Sequence, residues 1–221
     1  MPELTEREYQ IGLFDELICR GAGTVHVVSG PNPHLVVVGP EDLVDRVVVR
    51  YRGTRLVISF RVGPNPMPFL QGRQAQVRTV VVTDAVSRIV LQGAAGIVLG
   101  ESPQAPLTTE SVRLVNSGHG LITGHLSAFK VDARIRGTGN MQLAGDAREL
   151  GVRVSGIGSI DCEELVCGTA RVSVTGVGSC RVMVLDTLTA SVSGAGGVTY
   201  SGTAKLIRRG GSAGRIQYRE P

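Results

Sequence analysis

Apolar and polar residues alternate with period two along most of the chain, which predicts half-buried β-strands rather than helices. The signal is clearest in four segments: Ala133–Leu143, Val152–Cys162, Val172–Val182 and Ala190–Tyr200. Each reads apolar-x-apolar-x-Gly-x-Gly-x-apolar-x-apolar. Their first glycines are Gly137, Gly156, Gly176 and Gly194, so the spacings are 19, 20 and 18 residues. Weaker copies lie upstream at Gly118-His-Gly120 and Gly93-Ala-Ala95, and downstream at Ser212-Ala-Gly214. Regular self-similarity of this length marks a repeat architecture. The C-terminal half therefore reads as an all-β solenoid with Gly-x-Gly corners about every nineteen residues, one coil per repeat. Stacked coils stand about 4.8 Å apart, so equivalent side chains form ladders that bury what one coil alone cannot.

The pattern assigns residues to faces. Ile135, Val154, Val174 and Val192 point inward before the corner. Met141, Ile160, Cys180, Val198 and Ile216 do so after it, as do Leu143, Cys162, Val182, Tyr200 and Tyr218. A corner needs either a positive φ or a very close backbone approach, and glycine permits both; a positive φ is the expectation at Gly156 and Gly176. A dinucleotide-binding loop would need a helix after the glycines, and another strand follows instead.

The N-terminal half carries shorter strands at Leu35–Val38, Arg46–Arg50 and Arg55–Phe60, separated by Gly39-Pro40 and Arg52-Gly53. The stretch 61–76 holds Pro64, Pro66 and Pro68 and reads as a surface loop; strands resume at Val77–Thr83. The expected organisation is one domain over 1–221, with irregular strands in 1–76 packed at one end of regular coils in 77–218.

Composition agrees with thin aliphatic layers: 42% of residues are hydrophobic, only 4% are aromatic, Trp is absent and Gly numbers 30 of 221. The formal charge is +4. The densest basic pair along the chain is Arg208–Arg209, with no aromatic residue interleaved, which argues against nucleic acid as a partner. No apolar run approaches the ~18 residues of a membrane span. The start has no basic segment followed by an apolar one, so the expectation is a cytoplasmic protein if Met1 is native and a cell-envelope protein if a leader was removed.

The segments Val154–Ile160, Val174–Cys180 and Val192–Gly202, together with Phe14, Leu35–Val38 and Leu56–Ile58, resemble the head GIN domain family of auto-transporter adhesins. The resemblance implies a right-handed parallel β-helix-like fold in bacterial, often envelope-associated proteins. It implies no established enzyme activity and carries over no catalytic residue.

Candidate chemistry is sparse. Cys19, Cys162, Cys167 and Cys180 contain no C-x2-C pair and fit no disulfide framework; Cys162 and Cys180 read as small hydrophobes. His119 and His125 lack neighbouring ligands, so no metal or other cofactor is expected. Asp161, Glu163 and Glu164 form the densest acidic cluster and would be the catalytic carboxylates of a carbohydrate-active enzyme. Against that, Asp161 aligns with Arg181 one coil later and no second carboxylate aligns with it. The corner edge offers a candidate contact strip: Ile157, Val177 and Ala195 at corner centres, flanked by Ser155, Thr175 and Ser193. The leading expectation is a non-enzymatic binding, adhesion or scaffolding module. Its partner would be a polysaccharide, a protein or a second copy. The alternatives are the enzyme and a self-assembling cytoplasmic solenoid.

Overall fold

A computed structural model describes residues 4–61, 76–209 and 214–220. Strands β1 (Leu4–Gln10), β2 (Glu16–Gly21), β3 (Thr24–Ser29) and β4 (His34–Pro40) precede one four-residue helix, α1 (Glu41–Val44). Then come β5 (Val47–Arg52), β6 (Arg55–Phe60), β7 (Arg78–Thr83), β8 (Arg88–Gly93) and β9 (Gly96–Leu99). The longest strands follow: β10 (Leu107–Asn116), β11 (Leu121–Ile135), β12 (Asn140–Val154), β13 (Ile157–Val174) and β14 (Val177–Val192). Three short strands close the order, β15 (Gly197–Ser201), β16 (Lys205–Arg208) and β17 (Arg215–Tyr218). The protein is all-β, and the described strands join in one 17-stranded sheet. The predicted loop at 61–76 lies almost wholly outside the described residues.

From β10 to β15 each strand pairs in parallel with the next, and the last two strands pair in parallel one step further back, β16 with β14 and β17 with β15. Asn116 lies beside Ile135, Ile135 beside Val154, Val154 beside Val174 and Val174 beside Val192. After the corner Met141, Ile160, Cys180, Val198 and Ile216 stand in register, and all five are buried. The inward ladders therefore have the predicted members, with two differences. The register slips between Gln142 and Ala144 and again between Cys162 and Val166, so Leu143 and Cys162 are not direct partners. Tyr218 is 53% exposed, because it ends its column, edge-on to Tyr200 with ring centroids 5.5 Å apart, with no further rung over it among the described residues.

One position in the column of Ile135 and Val154 is polar: Asn116, which is fully buried. Its side-chain amide donates to the Gly120 carbonyl at 2.8 Å, and its Oδ1 accepts from the Gly118 N–H at 3.1 Å. A buried amide is tolerated when so satisfied, and this one ties the Gly118–Gly120 corner together from inside.

The N-terminal strands are not simply stacked at one end. Both β2 and β3 are inserted into the parallel ladder: β2 lies between β6 and β8, and β3 between β7 and β9. After β1 the chain thus enters the stack, leaves it through β4, α1 and β5, and re-enters on both sides of β2 and β3. Antiparallel pairs, β1 with β4, β4 with β7 and β5 with β6, cover the ladder at this end. Such covering protects a sheet edge from joining another chain. One cluster of buried apolar residues runs from Ile11 to Ile216.

The corner glycines serve a different purpose from the one expected. Gly137, Gly156, Gly176 and Gly194 do not have positive φ. What requires them is proximity. A Cβ on Gly156 would overlap the carbonyl oxygen of Gly137, and one on Gly176 would overlap that of Gly156. A second column, Gly139, Gly158, Gly178 and Gly196, repeats the arrangement. Two glycine columns thus let successive Gly-x-Gly segments lie directly upon one another.

Candidate functional site

Backbone hydrogen bonds join the Gly-x-Gly segments that link neighbouring strands. The Ile157 N–H donates to the Gly137 carbonyl at 3.0 Å, and the Val177 N–H to that of Gly156 at 3.1 Å. This fixes the middle residue of each Gly-x-Gly at the outermost point, away from the core. Ile157 and Val177 are register partners and are 57% and 56% exposed. Ala195 is exposed as well, as are Ser155, Thr175 and Ser193. The structure therefore brings the six strip residues to one edge. Two of the polar members also tie coils together: the Ser155 hydroxyl donates to the Ile135 carbonyl at 3.2 Å, and that of Thr175 to the Val154 carbonyl at 3.5 Å.

The acidic cluster lies further along β13, four to seven residues after Ile157. Asp161, Glu163 and Glu164 line a groove of about 540 Å³ that Glu101 and His125 also reach. Arg181 meets Asp161 at 3.0 Å, in the expected register, and Glu163 at 3.7 Å; Arg219 adds a contact to Glu163 at 3.3 Å. Two of the three carboxylates are thus held by guanidinium groups. Arg181 is half exposed, so its pair with Asp161 is worth only about 0.2–1 kcal/mol. A double-mutant cycle of Asp161→Ala and Arg181→Ala, followed by chemical denaturation, should give a coupling of a few tenths of a kcal/mol that shrinks with added salt. A coupling of several kcal/mol, or loss of a polysaccharide-cleaving activity in the folded Asp161→Ala variant, would show the carboxylate doing more than pairing.

All four cysteines are free and buried. Burial pushes the Cys19 and Cys167 thiols up to about 12 and raises those of Cys162 and Cys180 as well, so none supplies a thiolate nucleophile. No group of three His, Cys, Asp or Glu side chains among the described residues could hold a metal ion. Nor is any helix among them long and apolar enough to cross a membrane.

A family model described as "Putative auto-transporter adhesin, head GIN domain" matches residues 13–204. The chain belongs to this family. Its GIN-domain fold recurs in solved structures of low sequence identity. A "putative adhesin" from Bacteroides fragilis NCTC 9343 superposes with a TM-score of 0.83 at 19% identity, over 98% of this chain and 97% of that one. A second, from Parabacteroides distasonis ATCC 8503, gives 0.71 at 19%, over 99% and 98%. A "putative lipid binding protein" from the same organism gives 0.62 at 15%, over 98% and 96%. A search of curated proteins found no match.

The sequence alone did not point to Asn116, nor to Arg153 and Arg171 as neighbours on one face. Asn116 could have been found as the one polar residue at the inward position two before a corner.

Proposed function

We propose that this GIN domain is a non-enzymatic binding or scaffolding module, a single right-handed β-solenoid-like domain over 1–221 whose corner edge contacts a partner surface. The observation that carries the reading is the exposed, in-register apolar pair of Ile157 and Val177. Two branched side chains held outward on a rigid edge would lose unfavourable hydration on contact, and Ala195 extends the strip without obstructing approach. The pairing of Asp161 and Glu163 with arginines also supports a binding rather than a catalytic role. An acyl chain is a poorer fit than a protein or glycan, because charged side chains line both of the larger grooves.

Replacing Ile157 and Val177 together by Lys should leave the thermal midpoint within a few degrees of wild type, since both side chains face solvent. The same change should abolish concentration-dependent self-association in sedimentation velocity, a second copy being the partner tested. Unfolding of the double variant would place these residues in the core. A wild-type chain that stays monomeric at every concentration would remove self-association through this edge.

A further inference from the structure

The strands leading into the corners have an outward face that the sequence order conceals. Val131, Ala133 and Ile135 are buried on β11, so Lys130, Asp132 and Arg134 face out; β12 and β13 repeat this alternation. Register then stacks the outward residues in columns. In one column Arg134 lies beside Arg153, Arg153 beside Ser173 and Ser173 beside Ser191, while Arg171 sits two residues before Ser173. Arg209 lies beside the next rung, its N–H bonded to the Ala190 carbonyl at 2.9 Å. The columns border a groove of about 900 Å³, whose lining holds six cationic side chains and only two carboxylates. That leaves a surplus of four positive charges along this face (6 − 2).

Not all of these cations are committed. Asp132 holds Arg113 at 2.9 Å and Arg134 at 2.6 Å, and Glu149 meets Lys130 at 3.1 Å. Burial works to raise the Asp132 carboxyl, but the hydrogen bonds from Arg134 and Arg113 outweigh it and bring it below its ordinary value. Among the described residues Arg153, Arg171 and Arg209 have no carboxylate partner, and all three are exposed. Between them the floor is formed by Gly151 and by hydroxyl side chains such as Ser173, Thr189 and Ser191.

We propose that this face is the binding groove for an extended anionic polysaccharide, with Arg153, Arg171 and Arg209 meeting its carboxylate or sulfate groups and the hydroxyl floor meeting its ring hydroxyls. Guanidinium groups suit planar, two-oxygen anions, and their repetition over rungs about 4.8 Å apart suits a polymer rather than a small anion. No aromatic side chain lines the groove. That disfavours single-stranded nucleic acid, whose bases stack on rings, and points to recognition by charge and hydroxyl hydrogen bonds. The inference rests on the binding-module reading but uses a surface other than the corner strip.

The test is fluorescence anisotropy of the full chain with labelled polygalacturonate, heparin, neutral dextran and single-stranded DNA of matched charge, at low and high salt. Polygalacturonate or heparin should bind, less tightly as salt rises, and dextran should not. Changing Arg153, Arg171 and Arg209 together to Gln should weaken that binding at least about tenfold and flatten its salt dependence without moving the thermal midpoint. Changing them to Lys should recover part of it. Self-association of the Arg153, Arg171 and Arg209 variant, read by sedimentation velocity, should match wild type, which separates failure of the groove from failure of the corner edge. The proposal is overturned if neither anionic polysaccharide binds, if the Gln variant binds equally well, or if dextran binds as tightly. Tighter binding of the DNA would reassign the face to nucleic acid.

Discussion

Gly156→Val should cost about 3 kcal/mol or more, and Gly156→Ala should already cost most of that. The cause is the stacked corner. A Cβ at this position would overlap the carbonyl oxygen of Gly137, a backbone atom that cannot swing aside. Relief requires neighbouring coils to separate, which stretches the bond from Ile157 N–H to the Gly137 carbonyl and the one from Val177 N–H to Gly156. Overpacking by a methyl or more commonly costs about 1–3 kcal/mol, and lost hydrogen bonds between coils add to it. Total stability is only about 5–15 kcal/mol, so the change is readily seen in a denaturant titration. The same experiment separates crowding from backbone strain. If φ were the reason, Asn, which tolerates the left-handed region, would substitute better than Ala. At Gly156 Asn should be no better than Ala. At Gly53, where φ is +64° and a Cβ would meet nothing within 4 Å, Asn should be accepted within about 1 kcal/mol. Stability of Gly156→Ala within ~0.5 kcal/mol of wild type would mean that the coils do not lie this close.

Cys180→Asp should destabilise the protein by several kcal/mol, whereas Cys180→Val should change stability by less than about 1.5 kcal/mol. Cys180 stands between Ile160 and Val198 in a fully buried column, and its thiol is raised by burial first and by the charge of Asp161 second. An aspartate there would have no donor to receive its charge and would stay protonated to higher pH than in the unfolded chain. The sign of the pH dependence follows. A carboxyl whose folded-state pKa lies above the unfolded value of about 3.9 costs least when both states are protonated. The deficit of Cys180→Asp relative to wild type should therefore be smallest at acid pH and should grow as pH rises through and beyond that value. A deficit independent of pH would indicate that the new side chain reaches water.

Much of the fold was legible in the sequence because its signals are periodic. Alternation announces a strand wherever one face is buried, and Ile160, Cys180 and Val198 could be aligned from spacing alone since the ladder adds close to one rung per repeat. Three features were not legible, each for a physical reason. The insertion of β2 and β3 between strands formed later in the chain leaves no periodic trace, because hydrogen bonding to two non-consecutive neighbours does not change the pattern within a strand. The reason for the corner glycines could not be chosen from composition, since positive φ and close approach demand the same residue. The slips near Leu143 and Cys162 place one and three extra residues on β13 without breaking the strand. For the candidate sites, the exposure of Ile157 and Val177 followed from their place between two glycines. The basic face did not, because Arg153, Arg171 and Arg209 are about one or two repeats apart and look isolated until the rungs are stacked.

Both proposed surfaces depend on one claim, that residues about one repeat apart are side by side and that the corner edge faces solvent. Spin labels test it directly. The native cysteines are buried with raised thiols, so Ile157→Cys and Val177→Cys can be labelled selectively. Register partners on adjacent parallel strands stand about 5 Å apart. The doubly labelled protein should give an electron paramagnetic resonance spectrum strongly broadened by spin–spin interaction, while each singly labelled protein gives a sharp one. A double-label spectrum equal to the sum of the two single-label spectra would contradict the stacked corner and both surfaces drawn from it.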